Sequence, residues 1–168
     1  KNFFKKEKII LIFDECTTGF RETLGGLHKK YKVNPDLMIL GKAMGNGYAI
    51  TSVLGKKNIM NNIKKTFISS TFWTERIGSA AALKTIEIME KNKSWEVISE
   101  KGKYIMKNWI KIAKKYKLKI KVSGLPALCS FYFKSKNNNA YKTFITQEML
   151  KYGFLATNVV YLSTAHSK

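Results

Sequence analysis

The sequence predicts an α/β protein whose first ninety or so residues build part of a mostly parallel sheet, with a small α+β lobe after it. Two unbroken apolar runs carry the first half of that expectation, Ile9 to Phe13 within residues 8–14 and Leu37 to Leu40, each followed by a loop. The second half rests on the last fifty residues, where short strand patterns flank one helix. A boundary is expected near residue 92. Residues 1–92 are then part of a large domain, and 93–168 a linking helix with an incomplete small domain.

In order, residues 8–14 read as a buried strand ending in acid, Asp14-Glu15. Thr17 to Arg21 is a loop, and Gly25-Gly26 breaks any helix begun near Glu22. Asn34-Pro35-Asp36 is a turn that introduces the second buried strand. Gly41, Gly45 and Gly47 make a tight loop around Lys42, Thr51 to Leu54 is a short strand, and Lys56 to Ile63 a short helix. Ser69-Ser70-Thr71 is a turn, and Glu75 to Lys91 has helical spacing with Ala80, Ala81 and Ala82. Trp95 to Tyr116 is a longer helix with Ile98, Ile105, Trp109 and Ile112 on one stripe and lysines opposite. Lys119 to Val122, Cys129 to Phe133 and Val159 to Leu162 are strands, Tyr141 to Tyr152 a helix, and Asn137-Asn138-Asn139 a polar loop. About three strand candidates precede residue 72, too few for a sheet covered on both faces. The sheet is expected to be incomplete, and the chain a piece of something larger.

Composition narrows the function classes. At 168 residues and 45% hydrophobic, the chain is sized for one ordinary domain and is no disordered polymer. No apolar run is long enough to cross a bilayer, the first six residues lack a signal-peptide shape, and no membrane partner is expected. Cys16 and Cys129 have no pairing pattern and read as free thiols of a reducing, cytoplasmic compartment. The net charge of +20 raises a nucleic-acid partner. Yet only Arg21 and Arg76 supply the bidentate fork that phosphate and base recognition favour. The lysines are spread along the whole chain instead of forming one dense block, so no nucleic-acid partner is expected. The rival class is a binding protein whose basic lobe, Trp95 to Lys136, contacts nucleic acid or an anionic surface.

Chemistry concentrates on Lys42 and Asp14. A lysine in a glycine loop after an apolar strand sits where ligands of α/β sheets bind, and its glycines allow close backbone approach. An acid ends the other apolar strand, with Glu15 beside it as the competing carboxylate. The pair suits carbonyl-amine chemistry: a lysine amine attacks an aldehyde in its neutral form, which partial burial favours. Both residues also have plain readings, a solvated loop lysine and a turn aspartate. Other chemistries fit less well. Gly41-Lys42-Ala43 lacks the phosphate-loop spacing, no Gly-x-Gly-x-x-Gly follows the first strand, and no Gly-x-Ser-x-Gly elbow occurs. His28 and His166 stand apart without metal-ligand spacing.

The stretches Leu11-Ile12-Phe13-Asp14-Glu15-Cys16-Thr17-Thr18-Gly19-Phe20-Arg21 and Asn34-Pro35-Asp36 through Gly47-Tyr48 resemble class III pyridoxal-phosphate aminotransferases. Within that class the resemblance is nearest to the glutamate-1-semialdehyde 2,1-aminomutase branch, and Ser163-Thr164-Ala165-His166 fits its closing segment. The resemblance covers nearly the whole chain. It implies a fold-type I pyridoxal-phosphate enzyme with pyridoxal 5'-phosphate as cofactor. Lys42 then forms the Schiff base and later shuttles a proton, while Asp14 pairs with the pyridine nitrogen. Cys16 stands where the family has valine on the ring face, and Thr71 reaches the cofactor phosphate of the partner subunit, which implies a homodimer with a shared active site.

The resemblance also implies what is missing: an upstream segment with the in-chain phosphate loop and a ring-stacking aromatic, and the last helix. The expected reaction moves an amino group between an amino donor and a carbonyl acceptor. The alternative is an aminomutase shifting the amine within one substrate. Phe72-Trp73-Thr74-Glu75-Arg76 departs from typical aminomutases and favours general transamination.

Overall fold

The computed structural model describes residues 2–167, so Lys1 and Lys168, the outer ends of the two expected domains, lie outside it. The chain divides into two compact units, one up to Trp95 and one from Glu96.

The first unit opens with a short helix α1 (Asn2–Lys6) and is built on three strands, β1 (Ile12–Asp14), β2 (Leu37–Leu40) and β3 (Ser52–Gly55), in the order β1-β2-β3. β1 runs parallel to β2, with Ile12 opposite Leu37 and Asp14 opposite Ile39. β3 returns antiparallel, with Gly55 opposite Leu37 and Ser52 opposite Leu40. Asp36 ties the amino ends together. Its Oδ2 accepts from the Leu11 backbone N–H at 2.8 Å, its own N–H donates to Leu11 O at 2.7 Å, and Oδ1 receives Lys56 Nζ.

This clamp explains a difference from the sequence expectation. β1 is three residues long, because the Leu11 N–H is taken by a side chain and Lys8 adopts φ 54°, which breaks an extended run. The buried strand expected over residues 8–14 is also open on one face among the described residues, with the alternate residues Ile10, Ile12 and Asp14 all exposed.

Short helices α2 (His28–Tyr31) and α3 (Lys57–Met60) follow β1 and β3, the latter continued by a 3-10 turn over Asn61–Lys65. No helix forms at Glu22. Helix α4 (Ile77–Asn92) packs Ala82, Ile86 and Met89, one stripe at helical spacing, against Phe20, Leu40 and Met44. It starts two residues later than the spacing suggests. Arg76 precedes it without a capping side chain, and Thr71, five residues upstream, takes no part in the cap.

The second unit begins inside helix α5 (Ser94–Lys115) and adds an antiparallel sheet of β4 (Ile120–Ser123), β5 (Leu128–Phe133) and β6 (Val159–Tyr161), with helix α6 (Asn138–Lys151) between the last two. Its core joins Ile98 of α5 to Ala127, Cys129 and Leu162, flanked by Ile105, Met106 and Trp109. Ile112, expected on the same stripe, is half exposed. Ala113 takes the buried position, since seven-residue steps drift about 20° around the helix. An aromatic ladder follows, Trp109 to Phe131 at 4.8 Å, Phe131 to Phe133 at 5.9 Å and Phe133 to Tyr141 at 5.2 Å, all edge to face. Of the polar loop expected at 137–139, Asn137 precedes α6 and Asn138 and Asn139 are its first residues. Asn138 Oδ1 accepts the Phe133 N–H at 2.9 Å and anchors the helix to the end of β5.

Both cysteines are free. Cys129 is fully buried, and burial pushes its thiol up from the ordinary range. The folded thiol therefore titrates above the unfolded one. Its contribution to stability is complete below the unfolded pKa and is lost as pH rises through the folded value. In native protein at neutral pH, a thiol reagent is expected to modify half-buried Cys16 and leave Cys129 untouched until denaturant is added. Equal labelling rates would contradict this packing. No helix among the described residues is long and apolar enough to cross a membrane.

Candidate active site

The chemistry-bearing residues meet at the carboxyl ends of the two parallel strands. Asp14 closes β1 and stands opposite Ile39, and Glu15 N–H continues the ladder to Ile39 O at 2.9 Å. Lys42 follows Leu40 by two residues. Between them Gly41 leaves no room for a side chain, because a Cβ there would lie 2.9 Å from Cys16 Sγ and 3.2 Å from Thr51 Cγ2. The β1 and β2 loops thus pack directly on each other, with Cys16 against the backbone that presents Lys42.

Lys42 itself has φ 45°, a left-handed conformation that costs a non-glycine residue roughly 1 kcal/mol. Its carbonyl holds the strained residue in place, accepting from the N–H groups of Gly45 and Asn46, both at 3.1 Å. The side chain is exposed, and Nζ donates to Thr17 Oγ1. The partial burial expected of the amine is therefore not provided by these residues.

The two adjacent acids separate by environment. Asp14 is exposed, with Oδ1 accepting the Cys16 N–H at 3.0 Å and the other oxygen unengaged among the described residues. Glu15 is 3% exposed and fully used. Its carboxylate accepts from the backbone N–H groups of Leu27 and His28, the latter at 3.1 Å, and meets His28 Nδ1 at 3.2 Å. It is the residue that folds the 16–28 loop back on the strand end.

Sequence spacing leaves Glu15 as a competitor for the chemistry; the structure makes it a buried anchor. Glu15→Ala is expected to lower stability by about 3 kcal/mol, since two backbone donors and His28 lose a charged acceptor. Chemical denaturation measures this, and a change under about 0.5 kcal/mol, the range of ordinary surface substitutions, would refute the anchoring role.

Of the four expected site residues, Asp14, Cys16 and Lys42 converge. Thr71 does not join them within one chain: it is exposed in the turn where Phe72 N–H donates to Ser70 Oγ. Thr17 was missed. Its only signal in the sequence is its place three residues beyond the strand-end acid, and its contact with Lys42 spans 25 positions. No group of His, Cys, Asp and Glu suited to a metal ion occurs among the described residues.

Known proteins resemble the chain as a whole. The family described as Aminotransferase class-III matches residues 1–165. The 3-aminobutyryl-CoA aminotransferase of Cloacimonas acidaminovorans is 39% identical over 82% of this chain and 34% of its own length. A glutamate-1-semialdehyde 2,1-aminomutase of Methanothrix thermoacetophila is 36% identical over 74% of this chain and 29% of its own. The chain thus spans about a third of the curated relatives it matches. Among solved structures, the PLP internal aldimine form of the Sphingopyxis sp. MTA144 FumI protein superposes with a TM-score of 0.89, covering 99% of this chain and 41% of that one at 22% identity. That likeness establishes the fold, a partial fold-type I transferase. Family model and sequence relatives together bear out the resemblance read from the two strand-end motifs: the chain belongs to the class-III aminotransferase family.

Proposed function

We propose that the protein carrying this chain moves an amino group between a small amino donor and a carbonyl acceptor, using pyridoxal 5'-phosphate held by Lys42 and Asp14. One observation carries the reading: an exposed amine and an exposed carboxylate presented side by side from adjacent parallel strand ends. The donor set fits the cofactor, since an accessible amine suits its aldehyde and an acid with a spare oxygen suits its protonated ring nitrogen. When bound, the cofactor supplies that aldehyde and a ring that draws electron density from the carbon bearing the amino group.

The chain's residues do the rest. Lys42 binds through Nζ and, when freed by substrate, holds a proton at Nζ and moves it. Asp14 opposes the ring nitrogen with negative charge, which favours the protonated form. Cys16, against Gly41, packs on the ring face as a small, weakly polar group. Thr71 serves the phosphate of the partner subunit, so the working unit is a homodimer with a shared site; its exposure beside exposed Phe72 and Trp73 supports this. Residues 1–92 belong to the cofactor-binding large domain, and 93–168 to the linking helix and small domain. Two unpaired thiols support a cytoplasmic location.

A second reading shares all of these residues. An aminomutase would shift the amine within one substrate, and the 36% identical relative bearing that name favours it. The 72–76 segment and the 39% identical aminotransferase favour transfer between two substrates.

The test is covalent trapping. Purified protein is incubated with pyridoxal phosphate, reduced with borohydride and digested. The cofactor is expected on the peptide that carries Lys42. Label scattered over surface lysines, with Lys42 unmodified, overturns the assignment.

A further inference from the structure

We infer that Thr17 is a positioning residue for the Lys42 amine. The inference deepens the proposed function and rests on Lys42 being the reactive amine, but the contact that carries it belongs to this chain alone. Lys42 Nζ donates to Thr17 Oγ1 across 25 residues of sequence. A long, exposed lysine otherwise samples many rotamers, freedom it gives up when fixed, so one acceptor in reach selects where the amine rests.

That acceptor is itself fixed. Cys16 N–H closes onto Asp14 Oδ1 at 3.0 Å, Gly19 N–H onto Glu15 O at 2.8 Å, and Arg21 N–H onto Thr18 O at 3.3 Å. Thr17 stands in the middle of this turn, and Glu15 locks the loop from below through Leu27 and His28. On the other side, the left-handed backbone of Lys42 sets the direction in which its side chain leaves the chain. Two constrained backbones therefore aim one amine at one hydroxyl, beside the Asp14 strand end.

The hydroxyl serves the amine in both of its states. A threonine oxygen accepts from an ammonium, and its O–H donates to the lone pair of a neutral amine. The amine must leave this partner to attack a carbonyl, so the contact parks Lys42 when it is not engaged. Valine has the shape of threonine without the hydroxyl, and serine keeps the hydroxyl without the methyl.

The experiment uses purified protein free of cofactor and reads lysine reactivity directly. Trace formaldehyde with cyanoborohydride methylates accessible amines, and mass spectrometry gives the rate at Lys42 relative to Lys64 and Lys136. In Thr17→Val the relative rate at Lys42 is expected to rise roughly fivefold, the ratio that corresponds to one net hydrogen bond. Thr17→Ser is expected to stay near the wild-type rate.

An unchanged rate in Thr17→Val overturns the inference. So does a rise shared by Lys29 and Lys30, which would mean that the loop as a whole had loosened. Cofactor trapping on the wild-type protein runs in parallel. If Lys42 takes up no pyridoxal phosphate, the proposed function fails, while the methylation rates still decide whether Thr17 holds the amine.

Discussion

Lys42→Ala is expected to abolish covalent uptake of pyridoxal phosphate and to reduce amino transfer by at least about 10³-fold, since it removes both the attachment point and the proton carrier. The loss should be chemical and not structural. Alanine inherits the φ of 45° with the same left-handed cost, and the Gly45 and Asn46 N–H groups that grip the residue 42 carbonyl are backbone contacts. Only the exposed Thr17 contact is lost, so stability by denaturation is expected to stay within about 1 kcal/mol of wild type. Lys42→Arg separates charge from reactivity. It keeps the positive charge but offers a guanidinium that remains protonated and does not attack a carbonyl. Activity surviving in either variant, with borohydride still fixing the cofactor, would move the attachment to another lysine.

The strand that presents Lys42 was legible for a local reason. Leu37 to Leu40 is apolar throughout, bounded by Asn34-Pro35-Asp36 on one side and Gly41 on the other, and the strand runs over those four residues. The lysine and the acid lie beyond the carboxyl ends of neighbouring parallel strands, where ligands of α/β sheets bind. Legibility ended where a long-range partner intervened. β1 lost its first half to Asp36, whose side chain takes a donor that the apolar run alone would assign to a ladder. Asn138 opens α6 because its amide oxygen serves the end of β5, so residues that look like a loop by composition are a helix start by tertiary contact. Glu15 and Thr17 follow the same logic. Their neighbours in sequence say turn, while His28 and Lys42, brought in by the fold, make one a buried anchor and the other the acceptor of the Lys42 ammonium or amine.

Gly102→Val is expected to destabilise the second unit by about 3 kcal/mol, the upper part of the range for overpacking. Gly102 lies in the middle of α5, where glycine costs roughly 1 kcal/mol relative to alanine. By helix propensity alone, Gly102→Ala should therefore stabilise the protein. A steric clash outweighs that gain. A Cβ at residue 102 would sit 1.8 Å from Pro126 O and 2.3 Å from its carbonyl carbon, which are backbone atoms and cannot turn aside as a side chain does. Moving Pro126 moves Ala127, whose carbonyl accepts the Leu162 N–H at 3.0 Å, and Ala127, Cys129 and Leu162 form the core with Ile98. Even the smallest side chain is then expected to be net destabilising, with valine worse because its branch adds two more atoms at the same contact. Urea denaturation followed by tryptophan fluorescence, to which Trp73, Trp95 and Trp109 contribute, measures both variants. If Gly102→Ala raised stability by the roughly 1 kcal/mol of propensity, the Pro126 turn would have to yield freely, and the close crossing of α5 over that turn would carry no packing constraint.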